Sequence, residues 1–115
     1  MRLFIRINWF TMRTEVETIE QFQQVISGAD RKILVFYQPE CGICRWYMKR
    51  MDEQYSPIPY YAVDVTKHYD WYRKNAKLRF GFPFTRIYKE GKIVYKIDGE
   101  LYPRQISKLY QAFIK

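Results

Sequence analysis

Two cysteines, Cys41 and Cys44, are the only ones in the chain, and they follow closely after the apolar run Ile33–Tyr37. An apolar run followed by Cys-x-x-Cys is typical of a strand that leads into a helix carrying a redox dithiol. Unpaired backbone N–H groups and the positive end of the dipole at a helix start favour the thiolate of the first cysteine. The second cysteine, one turn further in, lies within reach and can resolve a mixed disulfide. The pair therefore favours a βαβ framework with a strand ending at a helix N-terminus.

The composition fits one compact domain. The chain has 115 residues, of which 48% are hydrophobic and 19% aromatic, enough for one core and too few for two comfortable domains. No apolar run approaches the length of a membrane span, and Arg6 and Asn8 interrupt the N-terminal apolar segment, so it makes a poor signal peptide. We therefore expect a cytoplasmic protein, where reducing conditions favour a catalytic role for the cysteines over a structural bridge.

The net charge of +8 lies entirely in the second half of the chain. Residues 1–66 carry 8 basic and 8 acidic side chains, whereas residues 67–115 carry 12 basic and 4 acidic ones. Such an asymmetry can steer an acidic partner or nucleic acid toward one surface, but scattered lysines more often form a solvated face. Charge alone does not predict a nucleic-acid binder, and we do not expect one.

Apolar patterning predicts alternating strands and helices. Strands are predicted over 13–16, 31–37, 60–65, 84–89 and 92–97, the last two as a hairpin around Glu90-Gly91. Helices are predicted from a capping-box start at Thr18, over 44–54, over 69–78 and from Pro103 onward. We expect the continuous apolar strand to be central and covered on both faces, and Tyr47, Met48 and Met51 to face inward. The order predicts an α/β fold with a four- or five-stranded mixed sheet flanked by helices.

Several anchors agree in order and spacing with one known family. Ile33–Tyr37 before Cys41–Cys44, then Gly81-Phe82-Pro83, then Tyr88–Lys92 and Gly99 resemble a thioredoxin from about residue 13 to the C-terminus. The resemblance implies a thioredoxin-like domain over residues 12–115 and leaves residues 1–11 as an N-terminal extension outside the family pattern. It also implies a thiol:disulfide oxidoreductase that reduces or exchanges protein disulfides without a bound cofactor or metal.

The resemblance also assigns roles to particular residues. Cys41 is the attacking cysteine and Cys44 the resolving one. Pro83 corresponds to a proline that family members hold in cis opposite the dithiol, and the backbone of Phe82 beside it would pair with an extended substrate segment. Gly42 and Ile43, between the cysteines, complete the candidate substrate-binding residues.

Four positions depart from the commonest family pattern: Val35, Glu40, Ile43 and Phe84. Val35 takes the place of a buried aspartate behind the dithiol, so proton transfer must use another route. Glu40 stands where tryptophan is usual, and we interpret it as a surface residue rather than a general base. Ile43 replaces the proline that is typical between the two cysteines, a position that often sets the reduction potential of the dithiol. Phe84 follows Pro83 where threonine is common, and we expect it in the core rather than at a substrate rim.

Single charged residues near the motif carry weaker signals. Arg45, just past Cys44, adds a cation near the sulfurs, although on a helix surface such a residue is more often solvated. His68 is the only histidine, so a zinc site would need ligands from a second chain. We expect His68 to cap a helix or to be exposed.

Two other functions fit parts of the pattern. A glutaredoxin-like reductase would use the same dithiol, although glutaredoxins usually place it closer to the N-terminus. A thioredoxin fold could also be a non-catalytic binding module for an acidic protein or a nucleic-acid enzyme, with the dithiol dispensable. For the main hypothesis we expect protein disulfides as substrates, a thioredoxin reductase-like donor or a small thiol as electron source, no membrane association, and a monomer.

Overall fold

The computed structural model describes residues 13–53, 59–78 and 82–98. The N-terminal extension, Gly81, Gly99 and the helix predicted from Pro103 lie outside the described residues. Strands and helices alternate along the described chain in the order β1 Arg13–Val16, α1 Ile19–Ile26, β2 Lys32–Tyr37, α2 Gly42–Glu53, β3 Tyr60–Asp64, a 3-10 turn Val65–His68, α3 Tyr69–Asn75, β4 Phe84–Lys89 and β5 Lys92–Asp98. Each strand and helix predicted within these ranges is therefore confirmed.

Five predicted element ends are wrong by one to three residues. The strand predicted from 31 begins at Lys32, the helix predicted from 44 begins at Gly42, and the strand predicted through 97 ends at Asp98.

The other two element ends each have a local cause. The strand predicted through 65 ends at Asp64, whose carboxylate accepts a hydrogen bond from the backbone N–H of Thr66 and starts the 3-10 turn. The helix predicted through 78 ends at Asn75. Lys77 has a φ of +55°, a left-handed conformation that no α-helix continues through.

The five strands form one mixed sheet in the order β1-β3-β2-β4-β5. β3 pairs in parallel with β1 and β2, whereas β4 pairs antiparallel with β2 and β5. β2 thus lies in the centre, and Ile33–Phe36 are at most 2% exposed, which confirms a strand covered on both faces. The end of β2 is therefore held by strand neighbours on both sides where the cysteine segment begins.

Two apolar layers cover the sheet. The layer under α2, here called the α2-side layer, contains Ile33, Val35, Tyr47, Met48, Met51, Tyr60, Ala62 and Ile87. The opposite layer, under α1 and α3, contains Val16, Phe22, Leu34, Phe36, Val63, Val65, Tyr72, Ala76, Leu78, Phe84 and Tyr88. Alternate residues of one strand enter opposite layers, as a period of two requires. The inward positions predicted for Tyr47, Met48 and Met51, and the core position predicted for Phe84, are confirmed.

Phe22 is the centre of an aromatic cluster in the second layer. Its ring lies 5.3 to 6.0 Å from four other rings in edge-to-face geometry, those of Phe36, Trp71, Tyr72 and Tyr88. Edge-to-face contacts place the positive ring edge against a negative ring face. The cluster therefore joins α1, β2, α3 and β4 through one side chain.

The capping box predicted at Thr18 is present. The backbone N–H of Gln21 donates to Thr18 Oγ1 at 3.0 Å, and the backbone N–H of Thr18 donates to Gln21 Oε1 at 3.1 Å. These bonds satisfy backbone donors that have no partner within the helix. They fix the residue at which α1 begins, and hence the position of Phe22 on the first turn that packs against the sheet.

The β4–β5 hairpin turns at Glu90 and Gly91, with φ values of +53° and +81°. Two successive left-handed residues are typical of the tight turns that match the twist of the flanking strands. The turn also meets the end of α1, because Glu90 N–H donates to Gly28 O at 2.8 Å and Gly91 N–H to Ile26 O at 2.7 Å. The hairpin is thereby anchored to the first helix.

Arg86 is a buried cation on β4. Its guanidinium donates to the carbonyl oxygens of Ala76 and Lys77, where α3 ends, and lies near the rings of Phe36 and Phe84. Arginine at this position satisfies carbonyls that a helix end leaves unpaired.

None of the described helices is long and apolar enough to cross a membrane.

Replacing Phe22 with alanine tests the role of the aromatic cluster. Because Phe22 is 3% exposed and joins four elements, we expect Phe22→Ala to lower the free energy of unfolding by about 3–5 kcal/mol. Val94→Ala is the control, since Val94 is 41% exposed, and should cost less than about 0.5 kcal/mol. Urea denaturation of both variants gives the comparison, and equal losses would contradict the central role of Phe22.

Alkaline pH tests the burial of the tyrosines. Burial, aided by the nearby Asp64 carboxylate, raises the pKa of Tyr72 to about 12 from a usual value of 10.0. The unfolded chain then loses its proton first, so stability should be intact below about pH 10 and decline toward about pH 12. Unfolding measured as a function of pH should show this decline, and Tyr72→Phe should make it smaller. A decline of the same size in Tyr72→Phe would contradict the assignment.

Candidate active site

The two cysteines meet at the start of α2. Cys41 stands directly before the helix, and it is bonded to Cys44 as a disulfide with the Cα atoms 5.2 Å apart. The backbone N–H of Cys44 points at Cys41 Sγ from 3.1 Å. The predicted meeting of a sulfur with the N-terminal amides of a helix is therefore present, and these amides stabilise negative charge on Cys41.

The two sulfurs differ in their access to solvent. Cys44 is completely buried, whereas Cys41 is partly exposed. The difference follows from the helix, because Cys41 precedes the first turn and Cys44 lies on the face packed against the sheet. An external reagent can therefore reach Cys41 but not Cys44.

A tight turn connects Cys41 to the C-terminal end of the central strand β2. β2 ends at Tyr37, and the backbone N–H of Cys41 donates to Gln38 O at 3.0 Å. The backbone N–H of Arg45 then donates to Cys41 O at 3.1 Å, the first hydrogen bond of α2. The path from strand to helix is thus fixed by backbone hydrogen bonds on both sides of the cysteine.

Phe82 and Pro83 lie against the dithiol. The peptide bond between them is cis, and Cys41 Sγ is 4.0 Å from the carbonyl oxygen of Phe82. Pro83 is buried, and the ring of Phe82 contacts that of Phe84 edge-to-face at 5.0 Å. The structure therefore brings Phe82 and Pro83 next to the Cys41–Cys44 pair, although about forty residues separate the two pairs in the sequence.

Gly42 and Ile43 occupy the outer surface of the first turn. Both are exposed, and Ile43 is 54% exposed, an unusual position for so apolar a side chain. Trp46, one turn further, is 43% exposed and lies under the guanidinium of Arg50 at 4.8 Å. Two exposed apolar side chains therefore lie on the first turns of the helix that follows the partly exposed Cys41.

Arg45 folds back over the loop. Its Nη1 donates to the carbonyl oxygen of Pro39 at 2.7 Å, and the guanidinium lies close to Gly42. The sequence left Arg45 either as a cation near the sulfurs or as a solvated helix-surface residue, and the fold-back itself could not be predicted because it depends on the shape of the Gln38–Cys41 turn. The contact places a positive charge beside the segment that carries the Cys41 sulfur.

The departures from the family pattern lie in different surroundings. Val35 is completely buried in the α2-side layer, directly opposite Thr85 in the β2–β4 register. The hydroxyl of Thr85 is hydrogen-bonded to that of Tyr47 at 2.9 Å, a pair that sequence reasoning missed. Glu40 is exposed. A hydroxyl pair, rather than a carboxylate, is thus the polar group nearest to Val35 in the strand register.

His68 and the acidic residues form no metal site in the described part of the chain. His68 is exposed ahead of α3, and its side chain makes no capping hydrogen bond there. Among residues 13–53, 59–78 and 82–98, no group of three or more His, Cys, Asp or Glu side chains could hold a metal ion.

Comparisons with known proteins agree with this geometry. The sequence profile named Thioredoxin matches residues 13–112. Thioredoxin-1 of Saccharomyces cerevisiae is 29% identical over 91 residues, which covers 76% of this chain and 86% of the yeast protein. Protein disulfide-isomerase A4 of Homo sapiens is 32% identical over 86 residues, which covers 69% of this chain but only 13% of the human protein.

Solved structures show the same fold. The thioredoxin of Malassezia sympodialis, Mala s 13, superposes with a TM-score of 0.74 over 90% of both chains at 18% identity. The arrangement of strands and helices is therefore shared despite low sequence identity.

The role of the Arg45 contact can be tested on the reduced protein. In a Cys44→Ser background only Cys41 carries a thiol, so its alkylation rate at neutral pH reports its thiolate fraction. We expect Arg45→Met to lower that rate by about threefold, because an exposed cation stabilises a nearby thiolate only modestly. Lys49→Met, one turn further along α2, should leave the rate unchanged. Equal effects of the two substitutions would contradict a specific role for Arg45.

Proposed function

The chain belongs to the thioredoxin family, and we propose that it is a thiol:disulfide oxidoreductase that reduces or exchanges disulfides of other proteins through Cys41 and Cys44. One observation carries the proposal. The two sulfurs are bonded to each other at the N-terminus of α2, with Cys41 Sγ 4.0 Å from the carbonyl oxygen of Phe82. This arrangement suits a sulfur that must be attacked, released and bonded again without large movement.

The proposed reaction begins from the reduced pair. The Cys41 thiolate attacks one sulfur of a substrate disulfide, and the other substrate sulfur leaves and takes up a proton. Cys44 then attacks Cys41 Sγ, gives up its proton, and releases the first substrate sulfur as a thiol. The substrate gains two electrons and two protons, and the Cys41–Cys44 disulfide remains. The difference in solvent access supports these roles, because only the partly exposed Cys41 can meet a protein substrate.

Phe82, Pro83, Gly42 and Ile43 are proposed to hold the substrate. An extended substrate segment would pair with the backbone of Phe82, edge to edge, beside Cys41. The exposed side chain of Ile43 would contact apolar residues next to the substrate disulfide, since burying it against a partner removes apolar area from water.

The return to the dithiol requires an outside source of two electrons. A reductase or a small thiol would supply them, and no bound cofactor is required. In one solved complex, thioredoxin f2 is bound to a ferredoxin:thioredoxin reductase, which supports a reductase as partner for this chain too. We propose that the protein acts as a monomeric reductant in a cytoplasm, where reducing conditions keep the pair as thiols.

Single cysteine variants test the proposed roles. Cys41→Ser should abolish reduction of insulin disulfides, because no exposed thiolate remains. Cys44→Ser should still attack but not release its substrate, and should accumulate mixed disulfides that mass spectrometry can identify. The double variant is the control and should capture no protein.

Two results would count against the proposal. Insulin reduction that persists in Cys41→Ser would remove the catalytic assignment. An unchanged set of captured partners in the double variant would instead favour a binding module whose dithiol is dispensable.

A further inference from the structure

A buried hydroxyl pair connects the helix of the dithiol to β4. Tyr47 and Thr85 are each 1% exposed, and their hydroxyl oxygens are 2.9 Å apart. Their surroundings in the α2-side layer are mainly apolar. A hydrogen bond in such surroundings is stronger than in water, and breaking it leaves a desolvated polar group.

The position of the pair relates it to Cys44. Tyr47 is three residues after Cys44, so both lie on the buried face of α2, and a helical side chain leans back over the preceding turn. Thr85 is two residues after Pro83 and directly opposite Val35. The pair therefore connects the first turns of α2, which carry Cys44, to β4, which begins directly after Pro83.

The chemistry of Cys44 needs a polar neighbour. In the proposed function, on which this inference rests, Cys44 must lose a proton while completely buried, and burial penalises its thiolate. The buried residues in the described part of the chain include no Asp or Glu. If Tyr47 donates to Thr85, the Thr85 hydroxyl retains its own hydrogen and can donate to a further acceptor.

We propose that Tyr47 and Thr85 are positioning residues for the resolving step. Their hydrogen bond holds the first turns of α2 against β4 and directs a hydroxyl dipole toward Cys44 as its sulfur becomes charged. Cys44 gives up its proton and attacks Cys41 Sγ, the bond from Cys41 to the substrate sulfur breaks, and the departing substrate thiolate takes up one proton to become a thiol. The hydroxyl pair ends with the same two hydrogens with which it began.

The proposal separates the two steps of the reaction. Cys41 attacks from the exposed side of the turn, where the pair does not reach. Only the second step involves the buried sulfur.

The ionisable groups in or beside the layer include Tyr60 within it, Tyr37 and Tyr95 packed against it, and Asp52, which binds Tyr60 and pairs with Arg13. Arg50 lies on α2 with its Nε buried, and Glu40 and Arg45 lie on the surface near the dithiol. Burial raises the pKa of both Tyr37 and Tyr60 above the usual range, so neither changes charge near neutral pH.

A coloured aryl disulfide resolves the two steps in time. One equivalent of dithiobis(nitrobenzoate) added to reduced protein should release one thionitrobenzoate when Cys41 attacks and a second when Cys44 resolves. We expect Tyr47→Phe and Thr85→Val each to slow the second release by about tenfold and move its pH midpoint upward, with the first release unchanged. The variant that combines Tyr47→Phe with Thr85→Val should show a second release no slower than that of either single variant. Thr85→Ser, which keeps a hydroxyl, should show a second release near the rate of the unmodified protein.

Tyr60→Phe is the matched control. It removes another tyrosine hydroxyl of the same layer, one that donates to Asp52 at 2.8 Å, and should leave both releases unchanged. Thermal melting of each variant separates loss of stability from loss of rate. Reduced stability with an unchanged second release, or an equal slowing in Tyr60→Phe, would overturn the inference. A single release from the unmodified protein would overturn the proposed function itself.

Discussion

The exclusion of water from both faces of β2 is the constraint on which the remaining structure depends. A strand that must be covered on both sides needs a helical layer above and below, and the chain supplies α2 on one side and α1 with α3 on the other. The register then decides the site. Because Phe36 is opposite Phe84 in the antiparallel pair, the residues just after β2 meet those just before β4. Cys41 and Pro83 are neighbours for that reason, although the sequence separates them widely.

Two contacts of β4 lie on either side of the dithiol-facing residues Phe82 and Pro83. On one side, Arg86 donates to the carbonyls of Ala76 and Lys77 and keeps the end of α3 against β4. On the other, the ring of Phe82 packs on Phe84. A buried cation is costly to place in a core, yet its planar group can satisfy two carbonyl oxygens at once. The described residues beside the dithiol are therefore packed against the buried strand β4, which favours the fixed geometry that catalysis requires.

Local signals in the sequence predicted the elements well, because each has a local physical cause. The capping box at Thr18, the continuous apolar run of β2 and the Glu90-Gly91 turn all act within a few residues. The contacts that complete the site depend on register and could not be predicted that way. The Tyr47–Thr85 bond joins positions 38 residues apart, and Arg45 reaches Pro39 only once the turn has formed. The count of positive charges in the second half also includes Arg86, which is buried and adds little to the surface.

The anchoring of the β4–β5 turn to α1 affects how the chain can be engineered. Hairpin tips are commonly chosen for peptide tags and domain insertions, because they project into solvent and few other segments depend on them. Here the amides of Glu90 and Gly91 bind the carbonyls at the end of α1. Added residues at this tip would release the helix whose Phe22 centres the aromatic cluster, so the tip is a poor acceptor for fused sequence.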